Sequence, residues 1–158
     1  MIAAFARPHS WLWLLTFHIA FALLLVGAAL TVAVVSVAAL RQADAPLVVD
    51  LRRIALRTNL FLTLPAFVGV HIFGMILADR EYPSGTKSPG WLDAGFSITD
   101  AFGVFGIIVL SLLQWWVLRR ARAGQLRGWQ AQLTSWLSPA TILLLLVVLF
   151  VMAGKPGQ

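Results

Sequence analysis

The first long stretch of the chain, from Trp11 to Leu40, contains thirty residues without a charge. An α-helix rises about 1.5 Å per residue, so this stretch is long enough to cross a hydrocarbon layer about 30 Å thick. It is also much longer than the roughly 7 to 15 apolar residues in the core of a secretory signal peptide. The stretch therefore predicts a retained membrane-spanning helix.

Three further apolar stretches follow it. The sequence predicts spans at about residues 11–40, 58–78, 97–118 and 136–153, with a kink at Pro65, where the backbone lacks a hydrogen-bond donor. Only 11% of the residues are charged and 60% are hydrophobic, whereas about 25% are charged in soluble proteins. We therefore predict an all-α protein, a four-transmembrane-helix bundle with up-down topology, in which residues 1–158 form a single integral membrane domain.

The residue types that the chain lacks exclude several kinds of chemistry. There is no cysteine, which excludes disulfides, thiolate-bound iron-sulfur clusters and cysteine nucleophiles. The sequence has no phosphate-binding loop and no zinc-protease pattern, and serine and threonine residues in the spans have no base at motif spacing. No catalytic residue is predicted, and the sequence does not decide whether the protein is an enzyme.

The twelve lysine and arginine residues are unequally divided between the two sides of the predicted bundle. Four lie on the side of both termini and eight on the other side, and the positive-inside rule places the richer side in the cytoplasm. Both termini are therefore predicted to lie outside. The expected partner of the basic residues is the lipid bilayer with its anionic headgroups, not nucleic acid. The eight are Arg41, Arg52, Arg53, Arg57, Arg119, Arg120, Arg122 and Arg127, and the four are Arg7, Arg80, Lys87 and Lys155.

Two histidines lie within the predicted spans, where an ionisable side chain suggests a functional site. His18 follows Trp11 by seven residues and His71 precedes Asp79 by eight, which puts both at a depth of roughly 10 to 12 Å. Their helices run antiparallel, so both lie at the same level of one leaflet. This pair predicts a haem b with His18 and His71 as axial ligands. The phenylalanines near them, expected to line its faces, are Phe17, Phe21, Phe67, Phe73, Phe102 and Phe105.

Other interpretations of the two histidines remain open. His18, His71 and Met75, with Met152 as a further donor, supply imidazole and thioether, which suit Cu(I), so a copper-handling protein is one alternative. Each histidine could instead only hydrogen-bond a hydroxyl or a carbonyl between helices. The protein would then be a cofactor-free accessory or assembly subunit of a larger membrane complex.

Four segments carry a resemblance to a known family: TFHIAFALLLVGAAL, RTNLFLTLPAFVGVHIFGM, SPGWLDAGF and VMAGKPG. Together they resemble a bacterial family of predicted four-helix integral membrane proteins of unknown function. That family is distantly similar to the copper-resistance D proteins and to the membrane protoporphyrinogen oxidase, in which a histidine of the first helix matters. The resemblance implies a bacterial cytoplasmic membrane protein in which His18 is the residue carried over.

Overall fold

The computed structural model describes residues 11–83 and 87–154, and the described residues contain no strand. They form four long helices, each of which runs in the direction opposite to the one before. The predictions of an all-α fold and of a four-helix up-down bundle are confirmed. The helices are α1 (Leu12–Arg41), α2 (Ala45–Glu81), α3 (Gly90–Arg122) and α4 (Trp129–Gly154).

All four helices are long and apolar enough to cross a membrane, by length and composition. Each helix packs against its neighbours in the chain, and α4 also packs against α1, which closes the bundle into a ring. The buried centre contains small aliphatic and aromatic side chains from all four helices. These features support a multi-pass membrane protein. The central cluster consists of Leu25, Ala29, Ala66, Phe102, Ile107 and Leu145.

Three helices begin before the spans predicted for them, α2 by 13 residues and α3 and α4 by 7. The stretch Leu47–Arg57, which precedes the predicted second span, is helical and continues that span as part of α2. Pro46 lies in the first turn of α2, where its missing N–H breaks no intrahelical bond. Pro139, which is three residues into the predicted last span, lies inside α4, because that helix begins at Trp129. Charged or polar segments can continue these helices because their side chains lie beyond the hydrocarbon layer, where water hydrates them.

Two helices contain π-helical segments at the middle of the bundle. They are Asn59–Thr63 in α2 and Gly103–Val109 in α3. The first segment directly precedes Pro65, which lacks the N–H of a regular helical hydrogen bond. The amide nitrogen of Asn59 donates to the hydroxyl of Ser111 at 2.9 Å and lies 3.4 Å from the carbonyl oxygens of Gly106 and Ile107. The α2 segment is therefore joined to the α3 segment by a buried amide.

The two ends of the bundle differ in polarity, and each is named here by its main feature. The cleft end holds the start of α1, the end of α2, the start of α3 and the end of α4. The arginine end holds the turns at residues 42–44 and 123–128. At this second end α3 terminates at Gly124, whose φ of 82° is a left-handed conformation that glycine adopts without strain.

Candidate functional site

A cleft of about 280 Å³ opens at the cleft end and is lined by all four helices. Both histidines of the predicted spans contribute to its wall. Most of the remaining wall is aliphatic, with Tyr82, Trp91 and Glu81 toward the outside of the bundle. The predicted meeting of His18 and His71 at one level thus corresponds to a shared cleft.

His18 projects from α1 and packs against the backbone of α2. Its Nδ1 atom lies 3.1 Å from the carbonyl oxygen of Val70. A carbonyl oxygen only accepts hydrogen bonds, so this contact requires Nδ1 to carry a hydrogen. In the neutral ring Nε2 then has the free lone pair. The close approach depends on Gly74, because a Cβ atom there would lie 3.2 Å from Cε1 of His18.

His71 projects from α2 toward α3 and is held mainly by aromatic contacts. Its ring stacks on Phe67, with centroids 5.7 Å apart, and meets the edge of Phe96 at 5.8 Å. Its Nδ1 atom lies 3.7 Å from Oδ1 of Asp100, too far for a direct hydrogen bond but close enough for an ion pair with a protonated ring. The carboxylate thus faces Nδ1 rather than Nε2. Asp100 is 65% exposed, so it is a hydrated partner.

The methionines occupy different places from those that the sequence suggested. Met75 is 46% exposed and does not line the cleft. It lines a separate shallow groove, together with Asp79. Met152, the further donor considered from the sequence, does line the cleft. Its thioether lies against Gly95, where a Cβ atom would be 2.7 Å from the sulfur. The structure thus brings Met152, and not Met75, to the cavity that His18 and His71 share.

The six phenylalanines that were expected to line the faces of a haem lie outside the wall of the cleft. Phe96, which was not among them, does contribute to it. Phe17 and Phe21 stack on Phe73 instead, with centroids 5.4 and 5.7 Å apart, and fill the contact between α1 and α2. Phe105 is 56% exposed. Sequence spacing gave the level of these rings in the bundle but not the helix face that carries them.

The carboxylates and histidines do not together form a metal-binding cluster in the described residues. Within residues 11–83 and 87–154, no group of three or more histidine, aspartate or glutamate side chains is placed to hold a metal ion. A metal at the cleft would therefore depend on the two imidazoles with a sulfur ligand. This ligand set favours a soft ion over a hard one.

A second polar region, at the arginine end, was not predicted. Arg52 was assigned to a cytoplasmic loop, but it is only 1% exposed and lies between helices. It donates to Oγ of Ser135 at 3.1 Å and, at 3.5 Å, to the carbonyl of Ala131. The signal in the sequence was the series Arg52, Ala55, Asn59 and Thr63, whose spacing of three and four residues places them on one face of a helix.

No family model matches this chain, and no curated protein or solved structure matches it. The four-helix membrane architecture agrees with the family that the sequence resembles. The likeness to the copper-resistance D proteins and the membrane protoporphyrinogen oxidase has no support from these comparisons. Functional inference therefore depends on the two polar regions of the bundle.

Proposed function

We propose that the protein handles copper and binds a single Cu(I) ion in the cleft through His18, His71 and Met152. The observation that supports this most directly is that His18, His71 and Met152 line one cavity. Imidazole and thioether ligands suit Cu(I), which is a soft ion. Met152 takes the place of Met75 in this ligand set because Met75 lies in a different groove.

The surroundings of both rings support Nε2 as the ligating atom. A metal-bound histidine usually donates its other N–H to a carbonyl or a carboxylate, which fixes the tautomer and the ring orientation. Nδ1 of His18 faces the carbonyl of Val70, and Nδ1 of His71 faces the carboxylate of Asp100. The 3.7 Å separation at His71 would shorten on metal binding or be bridged by water.

Haem b, with His18 and His71 as axial ligands, is the second candidate. The apolar wall and the two rings that flank His71 favour it. The cleft of about 280 Å³ is at the lower limit of the roughly 300 to 1,000 Å³ of small-molecule sites, so a haem would have to enlarge it. His18 also packs directly on α2, so a macrocycle would require these helices to separate. We therefore rank copper above haem b.

The proposed location is a bacterial cytoplasmic membrane, with both termini and the cleft end outside. The supporting observation is the excess of lysine and arginine at the arginine end, eight of the twelve in the chain. In this orientation copper would reach the cleft from the outer side, along Glu81 and Tyr82. A membrane complex partner would then be expected to exchange copper with this end.

Copper binding is tested by competition with a coloured Cu(I) chelator, using anaerobic protein purified in a mild detergent. We expect one Cu(I) per chain and an affinity that falls roughly tenfold or more in His18→Ala, His71→Ala and Met152→Leu. Met75→Leu is the matched control, because it removes the same thioether outside the cleft, and its affinity should equal that of the wild type.

The same preparation distinguishes the alternatives. Protein that retains no copper, or that loses affinity equally in Met75→Leu and Met152→Leu, would contradict the copper proposal. Added haemin that gives a Soret band at one equivalent, lost in both histidine variants, would establish haem b as the occupant. Protein that binds neither would leave the accessory-subunit alternative.

A further inference from the structure

The arginine end contains a buried cation without a carboxylate partner. Arg52 is 1% exposed, and within the described residues it hydrogen-bonds only the neutral oxygens of Ser135 and Ala131. Its Nε atom has no partner in this part of the chain. A buried charge is stable only when it is paired or well solvated by polar groups, so the environment of Arg52 is incomplete.

Neighbouring side chains also have unused hydrogen-bond donors. The hydroxyl of Ser135 donates to the carbonyl of Ser36 at 2.7 Å, which joins α1, α4 and Arg52 in one group. The hydroxyl of Ser36 has no partner, although the residue is fully buried. The side-chain amide of Gln114 has none on either its nitrogen or its oxygen and is 1% exposed.

Ser36 belongs to the same group as Arg52, because its carbonyl accepts from the hydroxyl of Ser135, which in turn accepts from Arg52. Gln114 lies farther along the bundle: Asn59 of α2 contacts Ser111 of α3, and by register Gln114 is about 4.5 Å from the level of Asn59 and about 6 Å short of Arg52. The free donors beside Arg52 are therefore its own Nε–H and the hydroxyl of Ser36. This set is complementary to negative charge.

The six acidic residues of the chain all lie in the described part, and none pairs with Arg52. Four of them are toward the cleft end. Asp50, the nearest in sequence, pairs with Arg53 at 3.2 Å and is 59% exposed, and Asp44 is exposed at the start of α2. No carboxylate of the described residues therefore neutralises the charge of Arg52. The four toward the cleft end are Asp79, Glu81, Asp93 and Asp100.

We propose that a chloride-class anion binds between α1, α2 and α4, held by Arg52 and Ser36. A lipid headgroup or the side chain of a partner protein would have to reach a guanidinium that is 1% exposed, so a small free ion is the occupant that burial permits. The ion would supply the missing negative charge and accept from the Nε–H of Arg52. This site is independent of the proposed copper site at the opposite end.

Thermal unfolding in detergent tests the proposal, monitored by tryptophan fluorescence in sodium chloride and in sodium gluconate at equal ionic strength. Gluconate is too large to enter the buried group. Chloride at about 100 times its dissociation constant should raise the wild-type midpoint by roughly 5 to 10 °C. Arg52→Met and Ser36→Ala should lose this difference. Arg53→Gln, which removes an exposed arginine one residue away, should keep it.

Crystals grown in bromide provide a measurement that does not depend on folding of the variants. An anomalous peak within hydrogen-bond distance of Nε of Arg52 is expected. Identical wild-type midpoints in chloride and gluconate would overturn the proposal. So would ordered water in place of a bromide peak, because solvation by water alone would then complete the environment of Arg52.

Discussion

The contact between His18 and Gly74 allows a sharp test of the candidate copper site. In Gly74→Ala the added methyl carbon would lie 3.2 Å from Cε1 and 3.5 Å from Nδ1 of His18. Ordinary carbon contacts begin near 3.5 Å, so the ring must move by a few tenths of an ångström. That displacement acts directly on the 3.1 Å contact between Nδ1 and the carbonyl of Val70.

The expected effect on stability is small, whereas the expected effect on copper affinity is large. Alanine is favoured over glycine inside a helix by about 0.8 to 1.0 kcal/mol, while a hydrogen bond between membrane helices contributes about 0.6 to 2 kcal/mol. These two changes nearly cancel. Loss of the carbonyl that orients a metal-bound histidine typically weakens metal binding by roughly 10- to 100-fold, or about 1.4 to 2.7 kcal/mol.

The control is Gly27→Ala, at an exposed glycine of α1 where an added Cβ has no atom within 4 Å. Chelator competition should show weaker Cu(I) binding in Gly74→Ala and wild-type binding in Gly27→Ala. Wild-type affinity in Gly74→Ala would refute the role of the Val70 carbonyl in orienting His18. An equal loss in both variants would show that the effect comes from the helix and not from the site.

Three further substitutions test the packing of the bundle, each by unfolding in mixed SDS micelles. Gly69→Ala would place a Cβ 2.5 Å from the ring of Phe21, which is stacked on Phe73. We expect the free energy of unfolding to fall by about 1 to 3 kcal/mol, and unchanged stability would contradict this account. Asn59→Leu removes the amide that joins the two π segments and should cost about 1 to 2 kcal/mol, whereas a neutral result would make those contacts incidental. Gly124→Ala forces φ of 82° on a residue with a side chain and should cost about 1 to 2 kcal/mol, and a stabilised variant would mean that the turn has another conformation.

The architecture could be predicted because hydrophobic length is a local property. The uncharged run from Trp11 to Leu40 nearly coincides with α1, which ends at Arg41. The starts of the other helices could not be found in this way, because an amphipathic segment such as Ala45–Thr58 continues a helix without being apolar. The charged residues that precede a span thus indicate where the hydrocarbon layer ends, but they do not indicate where the helix begins.

The sequence could predict how deep in the membrane the site residues lie, but not toward which neighbouring helix each side chain points. Sequence distance from Trp11 placed His18 at the level of His71, and both line the cleft. Met75 is four residues from His71 and was expected on its face, yet it lies in another groove. Helices in a bundle are rotated by packing against all their neighbours, so spacing along one helix does not decide which side chains share a cavity.

Arg52 and His71 lie on the same helix, and this makes the independence of the two polar regions testable. They are nineteen residues apart, or about 28 Å along α2, and the π segment Asn59–Thr63 lies between them. Substitutions more than about 10 Å apart without shared partners have additive effects. Arg52→Met should therefore leave Cu(I) affinity unchanged within about twofold, even if it lowers the unfolding midpoint. A larger change in the affinity of Arg52→Met would show that the π segment transmits strain along α2 and that the two regions act as one.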